Sequence, residues 1–348
     1  MRPYVKYTGE NVTSDLQSVA RQLVSDGKGL IAMDESPGTC NKRFADIGIA
    51  ETEENRRLYR QIIVDSHELE QYVNGAILCD ETAHQSLTSG MSFVQFLTDK
   101  GIIPGIKVDG GTVTMPLKAS EKITEGLDGL RERLTKYYEL GFRFAKWRAV
   151  FVTGTNTPSQ ANIEANCQTL ALYAAYCQES GLVPIVEPEV LMDGAHDIQA
   201  CAQATQEVLQ KLFTKISNQG VDMEAMLLKP NMVLAGLENA MQPEIDEVVA
   251  RTIECLKRSV PAAVPGIVFL SGGQPSVLAT ERLNAMHVQN HTLPWALSFS
   301  FSRAILQPAL EIWKGNSENI EAAQKALLKR AYCNKAAARG QYIPIMEA

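Results

Sequence analysis

The sequence LVPIVEPE, residues 182–189, is a run of five apolar residues that leads into two carboxylates. A short continuous apolar run is typical of a strand buried on both faces, as in a parallel sheet. Because side chains alternate along a strand, Glu187 and Glu189 lie on the same face. The segment therefore predicts a buried strand that carries two carboxylates at its C-terminal end.

Seven more apolar runs end in a similar way. Each is followed by polar or charged residues: GLIAM by Asp34, VNGAILC by Asp80 and Glu81, IIPGI by Lys107, FRFA by Lys146 and Arg148, AMLL by Lys229, GIVFL by Ser271, and WALSF by Ser300 and Arg303. Helical stretches separate several runs, among them residues 124–140 before Gly141 and residues 159–180 before Gly181. This alternation predicts an α/β fold, a (β/α)8 TIM barrel whose catalytic groups cluster on one rim.

A doubly wound open sheet is the alternative to the barrel. If such a sheet bound a dinucleotide, it would normally carry a glycine-rich fingerprint after its first strand. No GxGxxG follows GLIAM. The barrel is therefore the favoured architecture.

The chain shows no linker or low-complexity block, which predicts a single domain over residues 1–348. An opening helix is expected at about residues 13–26, where Ser14 and Gln17 fit a capping box. A C-terminal helix with a short tail is expected over residues 318–348.

The composition argues against several classes of partner. The formal net charge is −7, whereas nucleic acids and anionic membranes require a broad basic surface. The sequence has no long apolar segment and no signal core at its start, so we expect a cytoplasmic protein without a membrane span. The seven cysteines include no CxxC pair, which favours buried, reduced thiols.

Three basic residues, two lysines and one arginine, are the first candidates for a chemical role. Strand periodicity places Lys146 and Arg148 on one face, although an isolated Lys-x-Arg also fits an exposed basic pair. Lys229 follows an apolar run and precedes Pro230. Burial beside a second cation such as Lys146 favours the neutral amine that attacks a ketone. A structural or salt-bridged lysine is the alternative.

The rim predicted by the eight runs has an excess of two positive charges. Its five cations are Lys107, Lys146, Arg148, Lys229 and Arg303, and its three anions are Asp34, Glu187 and Glu189. The segment Ser271-Gly272-Gly273 and Arg303 stand where barrels commonly bind phosphate, although a simple turn also explains the glycines. A basic mouth on an acidic protein indicates a small, multiply anionic substrate.

Metal chemistry has little support in the sequence. His287 and His291 form one HxxxH pair, without the glutamate of an HExxH motif. The segment SGGQP lacks the GK[ST] element of a P-loop. We therefore expect neither a metal site nor a P-loop.

Eight ordered segments resemble the class I fructose-bisphosphate aldolases. They are GKGLIAMDES (27–36), TEENRRLYRQ (52–61), PGIKVD (104–109), EGLDGL (125–130), FAKWR (144–148), LVPIVEPE (182–189), LLKPNMV (227–233) and FLSGGQ (269–274). The resemblance covers most of the chain. It implies reversible cleavage of fructose 1,6-bisphosphate to dihydroxyacetone phosphate and glyceraldehyde 3-phosphate, with no metal or organic cofactor and commonly with a homotetramer.

The resemblance also implies a role for each catalytic residue. Lys229 would form a Schiff base with the ketone, with Lys146 beside it. Glu187 would act as acid and base for carbinolamine formation and dehydration. Asp34 would accept the hydroxyl proton lost as the C3–C4 bond breaks, and Glu189 would orient the lysines.

Two groups of residues would bind the two phosphates. The resemblance assigns one phosphate to Ser271, Gly272, Gly273 and Arg303. It assigns the other to Ser36, Thr39, Arg43, Lys107 and Arg148.

The chain departs from the family pattern at several positions. Family members usually carry a longer tail that ends in tyrosine. Three alternatives are open here: the chain is truncated, a group such as Tyr342 or a water replaces that tyrosine, or turnover of the ketone-phosphate half is slow. Phe301 and His84 stand where tyrosine is common, and Pro275 stands where serine is usual. These differences are expected to affect substrate preference among fructose 1,6-bisphosphate, sedoheptulose bisphosphate and monophosphates.

Two other functions are compatible with parts of the sequence. An aldolase-like binding scaffold would use the rim charges for docking, and a metal-dependent aldolase would need a histidine cluster. The chemistry fits glycolysis, gluconeogenesis or carbon fixation equally, and a plastid location after removal of a transit peptide also fits.

Overall fold

Eight parallel strands close into a barrel in the computed structural model, which describes residues 10–290 and 292–348. The strands in chain order are β1 (Gly29–Ala32), β2 (Val73–Leu78), β3 (Ile103–Lys107), β4 (Thr112–Met115), β5 (Lys118–Thr124), β6 (Phe144–Phe151), β7 (Val183–Val190), β8 (Leu227–Leu228), β9 (Gly266–Phe269) and β10 (Ala296–Phe301). The barrel contains all of these except β4 and β5, and it closes because Leu30 of β1 pairs with Ser300 of β10. The predicted TIM barrel is confirmed, and the closing pair excludes an open sheet.

Each of the eight predicted apolar runs forms one barrel strand. The β4–β5 hairpin was not predicted, and it lies between the third and fourth barrel strands. Its strands are largely exposed, so they lack the continuous apolar run that marks the barrel strands.

Twelve α-helices are described in the same residues. They are α1 (Glu10–Leu23), α2 (Pro37–Asp46), α3 (Glu53–Val64), α4 (Asp80–Ala83), α5 (Phe93–Asp99), α6 (Leu130–Leu140), α7 (Gln160–Glu179), α8 (Ile198–Gln219), α9 (Ile245–Ser259), α10 (Ser276–Gln289), α11 (Arg303–Trp313) and α12 (Ile320–Ala337). Short 3-10 turns include Ser25–Gly27 and Pro344–Glu347.

The predicted capping box of the opening helix is wrong. Helix α1 spans Glu10–Leu23 in the described residues, so Ser14 and Gln17 both lie inside it. Gln17 instead donates a hydrogen bond from Nε2 to Asp222 Oδ2, 2.9 Å away. A local capping motif cannot be distinguished in sequence from polar residues used in a distant contact.

Two other helix boundaries show where local signals succeed and fail. Helix α7 matches the predicted stretch, because the Ser159 side chain accepts a hydrogen bond from Asn162 N and caps the helix. Helix α6 ends before Gly141 as predicted, but it begins only at Leu130. The residues from 124 that were predicted as helical include Gly126 and Gly129, whose positive φ angles of 122° and 65° interrupt a helix.

Helix α1 closes one end of the barrel. Its Leu23 packs in a buried cluster with the strand residues Leu30, Ile77 and Phe144. The Phe144 ring leaves no room for a side chain at Gly105, where an added Cβ would lie 2.1 Å from the ring. This end of the barrel is therefore packed solid, and the opposite end, where the strands terminate, is left for a site.

All seven cysteines are buried and unpaired. No helix among residues 10–290 and 292–348 combines the length and hydropathy needed to cross a bilayer.

Candidate active site

A cavity of about 740 Å³ lies at the C-terminal ends of the barrel strands. Twelve of the fourteen predicted site residues line it: Asp34, Ser36, Thr39, Lys107, Lys146, Arg148, Glu187, Glu189, Lys229, Ser271, Gly272 and Arg303. These residues are separated by up to 269 positions in sequence, from Asp34 to Arg303. The barrel brings them together because parallel strands end on the same rim.

Two lysines and two carboxylates form the base of the cavity. Lys146 Nζ lies 2.7 Å from Asp34 Oδ2 and 3.1 Å from Glu187 Oε2. Lys229 Nζ lies 2.9 Å from the other oxygen of the same carboxylate, Glu187 Oε1. All four residues are buried. Glu187 therefore bridges the two lysines, and their positive charges are neutralised by two carboxylates.

The pairing overcomes the cost of burying these charges. Burial raises the pKa of Asp34, but Lys146 and Lys229 outweigh it and hold the pKa below its ordinary value. The pKa of Glu187 is lowered in the same way, since burial is outweighed by Lys146, Lys229 and Arg148. Burial favours neutral Lys146, yet the carboxylates of Asp34, Glu187 and Asp109 raise its pKa. Lys146 therefore remains a cation beside Lys229.

One side of the mouth, which we call the paired edge, consists of Lys107, Arg148, Arg43 and their carboxylate partners. Lys107 Nζ lies 2.5 Å from Asp109 Oδ1, and Arg148 Nε lies 2.5 Å from Glu189 Oε2. Arg43 does not line the cavity. Its Nη1 donates to both oxygens of Glu35 at 2.6 Å, and its Nη2 donates to Gln307 Oε1 at 2.7 Å. Each cation of this edge is therefore already bound to a carboxylate.

Hydroxyl groups complete the paired edge at the start of helix α2. Ser36 is the N-cap residue, and its Oγ accepts a hydrogen bond from Thr39 N at 3.3 Å. Its Oγ also lies 3.1 Å from Thr39 Oγ1. Both hydroxyls line the cavity at a helix N-terminus, where backbone N–H groups favour an anion.

A second part of the mouth follows strands β9 and β10. We call it the glycine edge, and it consists of Ser271, Gly272, Gly273 and Arg303. Both glycines have positive φ angles, 60° and 98°, which other residues rarely adopt. Gly273 does not line the cavity but lies beside the Arg303 guanidinium, since an added Cβ would be 3.3 Å from Arg303 Nη2. In residues 10–290 and 292–348, Arg303 makes no ion pair.

Several residues of the cavity were missed as site residues by sequence reasoning. Asp109, Glu35 and Ser302 all line it. Asp109 could have been found, because it lies two residues after Lys107 and an extended backbone places the two side chains on the same face. The hydroxyl oxygens of Ser300 and Ser302 are buried and make no hydrogen bond within the described residues.

The positions that depart from the family pattern lie in different environments. Phe301 is buried and packs 5.6 Å from the Phe299 ring centroid. His84 is largely exposed, with Nδ1 2.9 Å from Asp80 O, and Pro275 precedes helix α10. Tyr342 donates its hydroxyl to Glu347 Oε1 at 3.2 Å and does not line the cavity. It therefore does not take the place of a tail tyrosine in this conformation.

The histidine pair falls partly outside the described residues. His287 Nε2 lies 3.0 Å from Leu297 O, and burial lowers the pKa of this histidine. His291 lies outside the residues that the structure describes. Within those residues, no group of three His, Cys, Asp or Glu side chains is arranged to hold a metal ion.

Known proteins match this chain almost from end to end. The sequence matches the family described as "Glycolytic: Fructose-bisphosphate aldolase class-I" over residues 15–348. It is 50% identical over 328 residues to the "Probable fructose-bisphosphate aldolase class 1" of Xanthomonas axonopodis pv. citri, covering 94% of this chain and 98% of the relative. It is 46% identical to "Fructose-bisphosphate aldolase 4, cytosolic" of Arabidopsis thaliana, covering 95% and 84% of the two chains.

A solved structure agrees with both the fold and the sequence. The fructose-bisphosphate aldolase of Plasmodium falciparum, solved with TRAP and a small-molecule inhibitor, superposes with a TM-score of 0.95 at 44% identity. The match covers 97% of this chain and 98% of the other. The barrel, the lysine and carboxylate cluster at its base and these similarities lead to one conclusion: the chain belongs to the class I fructose-bisphosphate aldolase family.

Proposed function

We propose that Lys229 is the nucleophile with which this aldolase cleaves fructose 1,6-bisphosphate into dihydroxyacetone phosphate and glyceraldehyde 3-phosphate. The observation that carries the assignment is the Glu187 carboxylate, which lies 2.9 Å from Lys229 Nζ and 3.1 Å from Lys146 Nζ. A nucleophilic amine needs an adjacent group that removes and returns protons. Of the two lysines, Lys146 has a second carboxylate partner in Asp34, whereas Lys229 forms an ion pair only with Glu187 among the residues that the structure describes.

Glu187 supplies proton transfer during formation of the Schiff base. Its carboxylate takes a proton from the Lys229 ammonium group, which frees the amine to add to the ketone. A proton then passes from the added nitrogen to the alkoxide to give the carbinolamine, and Glu187 returns its own proton to the carbinolamine hydroxyl, which leaves as water and yields the iminium. The lowered pKa of Glu187 favours the base form first. When Lys229 becomes a neutral carbinolamine, one of the cations that lower this pKa is lost, so protonation of Glu187 becomes easier.

Asp34 accepts the proton of the hydroxyl group on C4. As the C3–C4 bond breaks, the electron pair moves into the iminium, the aldehyde leaves and an enamine stays on Lys229. The lowered pKa of Asp34 keeps it in the carboxylate form required of a base. Lys146, 2.7 Å away, holds this carboxylate at the base of the cavity.

Glu189 orients the lysines indirectly in this proposal. Its Oε2 accepts a hydrogen bond from Arg148 Nε, and Arg148 in turn lowers the pKa of Glu187. Glu189 therefore holds the cation that acts on the carboxylate shared by both lysines.

The two phosphates bind at the two edges of the mouth. At the glycine edge, Ser271, Gly272, Gly273 and Arg303 supply a hydroxyl, backbone N–H groups and a guanidinium. At the paired edge, Ser36, Thr39, Lys107 and Arg148 lie on the cavity, and Arg43 joins them on separation from Glu35. The bisphosphate thus spans the mouth with its ketone over Lys229.

Location, assembly and pathway follow from the relatives rather than from the site. The curated relatives include aldolases named as cytosolic, which supports a cytoplasmic enzyme of glycolysis and gluconeogenesis. The resemblance to the family supports a homotetramer. Light scattering coupled to size-exclusion chromatography tests the assembly, and a mass of one protomer would contradict it.

Borohydride reduction in the presence of dihydroxyacetone phosphate tests the nucleophile. Mass spectrometry of the protein and its peptides should find one adduct, on Lys229 and not on Lys146. The Lys229→Met variant should give no adduct, whereas Lys118→Met, at an exposed hairpin lysine, should label normally. An unlabelled Lys229 in a folded protein that binds the ketone would disprove the assignment, and loss of activity with a chelator would indicate a metal-dependent reaction.

A further inference from the structure

The buried guanidinium of Arg330 connects the C-terminal segment to the glycine edge. Arg330 lies in helix α12 and is 5% exposed. All three of its nitrogen atoms have partners: Nε donates to Ala304 O, Nη2 donates to Ser276 O and Thr280 Oγ1, and Nη1 pairs with Glu347. A guanidinium is rigid and planar, so these partners are held in a fixed relative geometry.

Two of these partners adjoin the proposed phosphate site. Ser276 is the first residue of helix α10 and follows the Ser271–Gln274 turn, in which Gln274 N donates to Ser271 O at 3.0 Å. Ala304 directly follows Arg303 at the start of helix α11. Arg330 contacts Ser276 O at 2.8 Å and Ala304 O at 3.3 Å. One side chain therefore ties together the two backbone segments that form the glycine edge.

Glu347 supplies the counter-charge of this buried cation. The other acceptors of Arg330 are neutral carbonyl and hydroxyl oxygens, so Glu347 is its only carboxylate among the described residues. A buried charge that loses its partner is strongly disfavoured and moves or draws in water. The position of Arg330 therefore depends on Glu347.

Tyr342 and Lys329 hold Glu347 in place. The Tyr342 hydroxyl donates to Glu347 Oε1, and the Tyr342 N–H donates to Asn284 Oδ1 in helix α10. Burial and the Glu347 carboxylate raise the pKa of Tyr342 to about 12, so its hydroxyl remains a donor at neutral pH. Lys329 Nζ donates to the backbone oxygens of Glu347 and Ala348.

We infer that residues 342–347, which we call the C-terminal clamp, position the glycine edge for phosphate through the Glu347–Arg330 ion pair. Glu347 and Arg330 are positioning residues and touch no substrate. The inference rests on the phosphate site of the proposed function but not on the chemistry of Lys229. Because coupling between two sites is reciprocal, phosphate at the glycine edge also stabilises the clamp.

The test measures binding of inorganic phosphate, which needs no turnover. In Glu347→Gln the affinity for phosphate should fall about fivefold to tenfold, the lower part of the range usual for coupled sites. For fructose 1,6-bisphosphate the KM should rise while kcat changes less, which a purely structural role would not produce. As a control, Glu254→Gln removes an exposed carboxylate that pairs with Arg258, and it should leave phosphate binding unchanged.

A double-mutant cycle assigns the effect to one edge of the mouth. In an Arg303→Ala background, Glu347→Gln should change phosphate affinity clearly less than it does in the wild-type background, because the charged group that the clamp positions is absent. If Arg303→Ala weakens phosphate binding but Glu347→Gln does not, the clamp is overturned and the phosphate site stands. If Arg303→Ala has no effect either, both are overturned.

The reciprocal effect can be measured without any variant. Hydrogen exchange of residues 342–347 in the wild-type protein should slow when phosphate is added. The Tyr342→Phe variant, which keeps the ion pair but removes one hydrogen bond to Glu347, should show a smaller loss of affinity than Glu347→Gln. Unchanged exchange at saturating phosphate would overturn the inference even if Glu347→Gln fails to fold.

Discussion

The two edges of the mouth hold their cations in opposite ways. At the paired edge, Lys107, Arg148 and Arg43 each lie within 2.6 Å of a carboxylate. At the glycine edge, Arg303 is exposed and has no ion-pair partner within the described residues. A phosphate at the paired edge must compete with carboxylates, whereas a phosphate at the glycine edge meets a free guanidinium.

The two edges therefore contribute differently to ligand binding and to the stability of the free protein. An unpaired cation contributes its whole attraction to ligand binding, but it adds nothing to the stability of the free protein. A paired cation is already ordered, so it contributes to stability and selects ligands that can replace or share its carboxylate. We therefore expect affinity to depend mainly on the glycine edge and stability to depend mainly on the paired groups.

The largest effect on stability is expected at the base of the cavity, where the charged groups are buried and paired. Lys146→Met removes the ion-pair partner of the buried Asp34 carboxylate and one of the two lysine partners of Glu187, and it should lower the free energy of unfolding by about 3–5 kcal/mol at neutral pH. Urea denaturation measures this change. Lys118→Met, at an exposed lysine, is the control and should have little effect.

The pH dependence of unfolding tests whether the loss of ion pairs causes the destabilisation in Lys146→Met. In the wild type, the lowered pKa values of Asp34 and Glu187 stabilise the fold above the unfolded carboxyl range of about 4. This stabilisation is lost as the pH falls through the folded pKa values. Without Lys146 those pKa values rise, so the loss should begin at a higher pH. An unchanged pH profile of unfolding would contradict the pairing at the base.

The next largest effect is expected at the glycine edge. Arg303→Ala should weaken phosphate binding by roughly 10- to 100-fold, as expected for loss of charge-assisted hydrogen bonds. The free energy of unfolding should hardly change, because no carboxylate is left unpaired. Calorimetric titration with phosphate and urea denaturation give the two values. A large loss of stability would show that Arg303 is not the free cation described above.

Arg148→Met should show the reverse pattern at the paired edge. It leaves the Glu189 carboxylate unpaired, and it should lower the free energy of unfolding by about 1–2 kcal/mol, less than a fully buried pair. The discount follows from the Arg148 side chain, which is 39% exposed. Adding Glu189→Gln should restore much of the stability. Failure of the second change to do so would indicate that lost packing, not charge, causes the effect.

The smallest effect is expected from removing a competitor of phosphate. Glu35→Gln removes the carboxylate partner of Arg43 at the paired edge and should strengthen phosphate binding by about twofold to fivefold, the size of a weak ion pair. Glu54→Gln, which removes the exposed partner of Arg57, is the matched control. Weaker phosphate binding in Glu35→Gln would show that Glu35 supports the paired edge rather than competing for it.

Strand periodicity predicted which site residues share a face, but not which of them pair. Lys146 and Arg148 lie two residues apart in β6 and therefore on the same face, as do Glu187 and Glu189 in β7, and the sequence shows both patterns. The pairing depends on the register of the two strands, in which Arg148 lies opposite Glu187 and Val150 lies opposite Glu189. Glu187 nevertheless binds the lysines, because side chains inside a closed barrel reach across strands as well as along them.

The boundaries that failed share a physical cause. The hairpin strands β4 and β5 are largely exposed, so no continuous buried face imposes a pattern on their residues. The capping residues assigned to α1 lie inside the helix, and Gln17 makes its hydrogen bond with a residue 205 positions away. A local sequence pattern reflects only interactions between residues that are close along the chain, so it cannot predict contacts with distant residues.

The sequence by itself determined the eight buried strands, the polar residue that ends each of them and the family of the protein. Apolar runs and strand periodicity are properties of neighbouring residues, so they are visible without a structure. Only the tertiary structure decided that Glu187 bridges two lysines, that three cations are paired while Arg303 is free, and that Arg330 joins the C-terminal segment to the glycine edge. These features depend on distances between residues far apart in sequence, which are set when the barrel closes.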